Sequence, residues 1–172
     1  MDKVLPGLAM LAIVAVVFVL LGLGWRNRLR RQADIAALPE IPAGLGGPLL
    51  TTEGQYVATT TAGDWLDRIA VHGLGIRTNA ELTVHPEGVL LDRSGAGPLF
   101  IPAASLAGVR QDSGMAGKFV EKDGLLVLSW TLGTHQLDTG FRTRRAADKP
   151  ALHQKLQELI SAGPQADAHS GK

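Results

Sequence analysis

The chain contains no cysteine. That excludes disulfides, thiolate nucleophiles, cysteine-ligated zinc and iron–sulfur clusters, while leaving the compartment open, because a thiol-free chain survives on either side of a membrane. Aromatic residues are scarce, with one tyrosine in 172 residues, and the net charge is only +1. Beyond residue 50, 12 Lys plus Arg stand against 13 Asp plus Glu, a net of −1. A nearly neutral domain without a basic stripe has little electrostatic reason to seek nucleic acid, so no such partner is expected. The length suffices for one domain and an anchor. One core is expected.

Long uncharged runs are absent too, with one exception. Residues 4–24 carry no charge, and 13 of these 21 are Val, Leu, Ile or Phe. A helix needs roughly 20 such residues to cross a hydrocarbon core. At the per-residue insertion scale those side chains contribute roughly −4 to −8 kcal/mol, so insertion wins over water. A cleavable signal peptide is the rival, but its apolar region is shorter and ends at small residues. Here the run ends Gly22-Leu-Gly24-Trp25-Arg26, which favours an uncleaved anchor over residues 1–25. No polar face exists, as a buried amphipathic helix would have, and no G-x-x-x-G marks a dimer seam.

Direction follows from the flanking cations. Lys3, offset by Asp2, precedes the run, whereas Arg26, Arg28, Arg30 and Arg31 follow it. Basic flanks are retained in the cytoplasm, so the N-terminus is expected outside and the C-terminal domain in the cytoplasm of a single-pass inner-membrane protein. The same four arginines are candidates for contact with anionic lipid or an acidic partner.

Residues 26–54 combine that basic flank with a Pro/Gly-rich stretch, too interrupted for a helix or an interior strand, and read as a tether. About 20 such residues span roughly 25 Å when flexible. From residue 55 to 161 the apolar pattern changes to short runs broken by turns, the signature of strands. Residues 56–61 and 66–72 are the first two. Residues 82–85 and 89–93 form a hairpin across the three-residue loop Pro86-Glu-Gly88. Residues 99–101 and 109–112 follow, with a short segment over 103–106 between them. Residues 113–124 read as a long exposed loop, 125–131 as a central strand, and 135–141 as its partner. Leu152, Leu156, Leu159 and Ile160 fall on one helical stripe, starting at Asp148 and Pro150 and stopped by Gly163-Pro164. Residues 162–172 are polar and read as a disordered tail. About seven strands and one amphipathic helix make a partly open antiparallel barrel whose opening the C-terminal α-helix caps.

The run Leu82-Thr-Val-His-Pro-Glu-Gly88-Val-Leu-Leu-Asp, followed by Phe100-Ile-Pro102 and by residues 106–109, resembles bacterial pleckstrin-homology-like (PH-like) domains. The similarity spans residues 55–161. With its anchor, the chain is similar to small actinobacterial single-pass proteins of that family that are loosely called transporter or export proteins. The resemblance implies two near-orthogonal sheets capped by a helix, serving to bind lipid, peptide or protein. Relatives that hold phosphoinositides carry Lys and Arg in their first loop. The corresponding loop here is taken as Thr61-Ala-Gly-Asp64, without a cation, which argues against phosphoinositide binding there.

Other chemistry finds little support. Gly114-Met-Ala-Gly-Lys118 lacks P-loop spacing, since Asp112 and Phe119 stand where Gly and Ser or Thr belong. It serves better as a contact loop presenting Met115, Lys118 and Phe119 to a partner, or as plain surface. His72 with Asp64 and Asp67 forms the one acid–base grouping, without a nucleophile elbow or a His-x-x-x-His. Ser129 lies inside a strand, where a nucleophile would be buried. Arg142, Arg144 and Arg145 form a basic knot suited to phosphate head groups or an acidic partner. No catalytic residue, metal or cofactor is expected. The reading is a non-enzymatic module that binds or localises a protein partner at the membrane. Its alternatives are an accessory subunit of a transport or export assembly, and a small enzyme using His72 and the nearby acids.

Overall fold

The computed structural model describes residues 4–115, 118–119 and 124–163. For residues 4, 5, 28, 29, 31, 118 and 119 it describes the backbone alone. Two compact units result, divided after Asp34.

The first unit is one helix, α1 (Val4–Arg31). Pro6 falls in its first turn, where a missing N–H breaks no hydrogen bond. Within it, Pro6–Asn27 is long and apolar enough to cross a membrane. The helix runs past Trp25, so the arginine cluster lies in its last two turns, where the helix dipole favours cations. Lys3 lies outside the described residues.

The second unit is built on β1 (Leu50–Thr61), β2 (Asp64–Arg68), β3 (Thr78–His85), β4 (Gly88–Arg93), β5 (Leu99–Pro102), β6 (Leu106–Asp112), β7 (Gly114–Met115), β8 (Lys118–Phe119), β9 (Leu125–Leu132) and β10 (His135–Thr143), followed by α2 (Lys149–Ala162). All ladders are antiparallel, and the main sheet runs β5-β4-β3-β1-β10-β9-β6, with β2 paired to the end of β1. β1 is the spine. Its residues 50–56 pair with β3, and its residues 54–61 pair with β10 across a bulge between Tyr56 and Ala58. The terminal strands β5 and β6 are joined by only a three-residue 3-10 turn, Ala103–Ser105. The two edges of a seven-strand path can be so close in sequence only if the sheet curls until they meet. α2 packs on β6 and on that turn, closing the seam. This is the helix-capped, partly open barrel expected from the apolar pattern.

The inward face carries one core. Tyr56, Leu82, Leu91, Leu128, Trp130 and Phe141 are all essentially inaccessible, and α2 adds Leu152, Leu156 and Leu159. Asp148 precedes α2 without capping it, because its carboxylate accepts from Arg145 Nε at 2.9 Å; Pro150 occupies the first turn.

Four local expectations are revised. The β3–β4 turn has two residues, Pro86 and Glu87, because Gly88 already pairs with His85. Gly88 has φ 157°, and a Cβ there would stand 2.3 Å from the Ile101 carbonyl oxygen. The second strand is shorter than 66–72, ending at Arg68 before a 3-10 turn at Val71–Gly73. The segment 113–124 is not wholly an open loop, since β7 and β8 pair within it. Finally, residues 35–49 lie on the domain. Ile35 is buried, Leu38 packs on the core, His85 Nδ1 meets the Gly46 carbonyl at 2.8 Å, and Glu87 accepts from the Gly46 N–H at 3.1 Å. A Pro/Gly-rich stretch can lie extended on a sheet where a few side chains pin it. The tail beyond Gly163 lies outside the described residues.

Candidate interaction site

The barrel's outer face carries a polar row set by strand register. Thr60 of β1 stands opposite Asp138 of β10, and Asp138 opposite Ser129 of β9. Arg110, on the neighbouring β6, reaches the same carboxylate. Its Nη2 donates to Asp138 Oδ2 at 2.9 Å, and its Nη1 to Oδ1 at 3.2 Å and to Ser129 Oγ at 3.0 Å. Ser129 Oγ donates to Asp138 Oδ1 at 2.6 Å, and the Gly63 N–H approaches Oδ2 at 3.4 Å. Asp138 is 5% exposed, whereas Arg110 is 46% exposed. Burial alone would raise the carboxyl's proton affinity; the hydrogen bonds from Arg110 and Ser129, with the guanidinium charge, outweigh it and hold Asp138 below the usual carboxylate range. The same hydrogen bond raises Arg110.

Beside this row lies an open cavity of about 320 Å³, walled by Thr60, Trp65, Asp112 and Met115 among others. The Thr60 hydroxyl is buried there without a hydrogen-bond partner among the described residues. Met115, expected on an exposed loop, is 2% exposed and packs with Val57, Leu125 and Val127. β7 folds it down onto Gly140, whose missing side chain makes room. It is therefore a core residue of the outer face rather than a presented contact. The side chains of Lys118 and Phe119 lie outside the described residues.

Besides Ile41 and Leu49, exposed large apolar residues lie on and just beyond the neighbouring strand β2. Trp65 and Leu66 on β2, and Ile76 before β3, are 44%, 61% and 56% exposed. β2 is a short edge strand whose side chains mostly reach no core, and Asp64 shapes its start by accepting from the Leu66 and Asp67 N–H groups at 3.1 and 3.2 Å. Asp67 accepts from Thr61 Oγ1 at 2.7 Å.

His72 sits at φ 57° on the turn after β2, exposed, its Nε2 3.4 Å from the Ile35 carbonyl oxygen. No hydrogen bond joins it to Asp64 or Asp67. What holds this bend is Arg93, 2% exposed, which donates to the carbonyls of Gly97 at 2.8 Å, Gly73 at 3.0 Å and His72 at 3.5 Å while its guanidinium lies 4.9 Å from the Tyr56 ring centre. Ser129 is half-buried, and its hydroxyl is engaged by Arg110 and Asp138.

The basic knot does not form one cationic surface. Arg144 pairs with Glu53 at 3.0 Å and Arg145 with Asp148 at 2.9 Å, while Arg142 lies half-buried on β10. Arg142 and Arg144 line a second, polar cleft of about 760 Å³ with Glu53, Glu81 and Lys149. On α1, Arg26 and Arg30 are exposed. The first two strands, β1 and β2, are joined at Thr61-to-Asp64 as read from the sequence, and the further connection from β1 to β3, residues 62–77, includes Arg68 and Arg77.

Sequence reasoning missed Arg110, Asp138 and Arg93. The last was detectable, since Val89, Leu91 and Arg93 alternate onto the core face of β4. A cation at such a position must find buried acceptors.

No curated protein matches the chain. Among solved structures, a chain of the 8S snRNP assembly intermediate is similar in fold, with TM-score 0.51 and 8% identity over 80% of this chain and 96% of that one. Vav1 bound by an allosteric inhibitor (TM-score 0.42, 20% identity, 80% of this chain and 32% of that one) is more distant. So is the C-terminal domain of an unknown protein from Leishmania infantum (0.41, 9%, 80% and 98%). Only the first of the three supports the fold. A family model described as "Bacterial PH domain-like" matches residues 35–157, from the buried Ile35 through most of α2. With more than two thirds of its length so matched, the chain belongs to the bacterial PH domain-like family.

Proposed function

We propose that this is a non-enzymatic, membrane-anchored PH-like module that holds a protein partner at the cytoplasmic face of the membrane. The observation that carries the reading is that Trp65, Leu66 and Ile76, on and just beyond β2, are each exposed on a domain whose core is already complete without them. Large apolar side chains clustered on a surface are the usual mark of a binding face, and tryptophan is enriched among binding hot spots. α1 supplies the attachment, and the four arginines at its end supply the orientation.

Photo-crosslinking residues placed one at a time at positions 65, 66 and 76 in intact cells test it. Discrete protein adducts at these positions are expected, and the double change Trp65→Ser with Leu66→Ser should abolish adducts formed at Ile76. Adducts confined to positions within α1 would instead favour the accessory subunit of a transport or export assembly.

A further inference from the structure

We propose that the cavity beside Trp65 receives one cationic side chain, arginine or lysine, of the bound protein; this rests on the protein-binding reading above. Its lining includes two carboxylates, Asp112 and Asp138, against one guanidinium, Arg110. On adjoining β2, Asp64 and Asp67 outnumber Arg68. This face is therefore negative, while the juxtamembrane flank and the knot near α2 gather arginines.

Arg110 cannot serve as an anion receptor while it is held by Asp138 and Ser129, and Asp138 already accepts from four donors. Asp112 is differently placed. It is 43% exposed, its Oδ1 accepts from the Ser113 N–H at 2.7 Å, and its Oδ2 lies 3.8 Å from Arg110 Nε, too far for a hydrogen bond. Among the described residues that oxygen faces the Arg110 charge but accepts no hydrogen bond, which leaves it able to take one from an incoming donor.

The second, independent sign is Thr60. Thr60 lines the cavity and is 99% buried, and its hydroxyl has no partner among the described residues, an unfavourable arrangement that a donor or acceptor brought in by a ligand would relieve. Trp65 adds an aromatic wall, to which a cation is attracted by the ring quadrupole. A carboxylate oxygen, a hydroxyl oxygen and the face of an indole together match the N–H groups and planar charge of a guanidinium, or an ammonium with its methylene stem, and the carboxylate charge disfavours an anion.

The test uses the full chain in detergent micelles, labelled with 5-fluorotryptophan. Its three tryptophans give three fluorine resonances, with Trp65 assigned by Trp65→Phe. The probes are the capped tripeptides acetyl-Gly-Arg-Gly-amide, acetyl-Gly-Lys-Gly-amide and acetyl-Gly-Glu-Gly-amide. The Trp65 resonance should move saturably with the first two and not with the third, Trp25 and Trp130 staying still. Asp112→Asn should weaken the arginine tripeptide at least fivefold, and the near-isosteric Thr60→Val about threefold, with the Trp130 resonance unchanged as proof of fold. No saturable shift, an equal response to the glutamate tripeptide, or full affinity in Asp112→Asn overturns the assignment. If the tripeptides fail while crosslinks at Trp65 and Ile76 persist, the cavity assignment falls and the interaction module stands. If those crosslinks fail, the protein-binding reading falls and this assignment with it.

Discussion

Tyr56 is the last donor of a hydrogen-bond chain whose direction is fully determined. The Trp130 indole can only donate, and it meets Thr139 Oγ1 at 2.9 Å; the Leu74 carbonyl can only accept, and it meets Tyr56 Oη at 2.7 Å. Thr139 must therefore donate to Thr59, and Thr59 to Tyr56, each across 2.7 Å. Burial of the phenol pushes its pKa up to about 12. In the unfolded chain a tyrosine titrates near 10, so the folded state opposes ionisation, and this contribution of roughly 3 kcal/mol is complete below pH 10 and lost as pH rises through 12. Tyr56 is the only tyrosine, so absorbance at 295 nm reads it alone. The midpoint should fall near pH 12 in the native protein and near 10 in urea; a native midpoint near 10 would contradict the buried chain. At the acid end the sign reverses. Asp138, held below the ordinary value near 4, binds its proton less readily folded than unfolded, so its stabilisation is complete above about pH 4 and lost as pH falls through its folded value. Asp138→Asn should flatten the fall of the urea midpoint between pH 5 and 3, and an unchanged fall would show the pair to be without net effect. Arg93→Met keeps the stem but leaves three carbonyls without their donor, an expected loss of about 3 kcal/mol by denaturation in dodecylmaltoside. None of these pairings could be named from sequence, because each joins residues that only the strand register brings together.

Elements were more legible than contacts. β3, β4, β9, β10 and α2 follow from period alone, since a half-buried strand repeats every two residues and a packed helix every three to four. Leu156 is inaccessible beneath α2, and Leu156→Ala should lower stability by about 2–5 kcal/mol, a value measurable by the same denaturation series. What period could not give was the start of β1 at Leu50 or the burial of Met115. β1 begins within a run of Gly, Pro and Thr, and its extent follows from partners on both sides. Gly54 records that closeness: a Cβ there would lie 2.2 Å from the Arg142 carbonyl oxygen and 2.5 Å from Phe141 Cζ. Gly54→Ala must push β1 off β10, with an expected loss of about 3 kcal/mol. Met115 was misjudged because polar and glycine neighbours hide a single apolar residue whose burial depends on a two-residue strand folding it onto Gly140.

At the scale of the whole molecule, the proposed place of the domain rests on one helix. On the insertion scale the 21 uncharged residues ahead of Trp25 favour a membrane by several kcal/mol, and Arg26, Arg28, Arg30 and Arg31 after the run outweigh Lys3, offset by Asp2, before it. Three outcomes are therefore expected together. The protein stays in the membrane pellet after alkaline carbonate washing, its mass there is that of the full chain, and a C-terminal alkaline phosphatase fusion is inactive where a fluorescent-protein fusion glows. A shortened chain would mark a cleaved signal sequence and remove the anchor. An active phosphatase would invert the orientation and expose Trp65, Leu66 and Ile76 to an extracytoplasmic partner instead. The arginines give the matching control: changing all four to glutamine and adding three lysines before Val4 should reverse both reporters, because the bias in positive charge then lies on the N-terminal side. If both reporters stay as they were, the folded domain, and not the flanking charge, sets the direction.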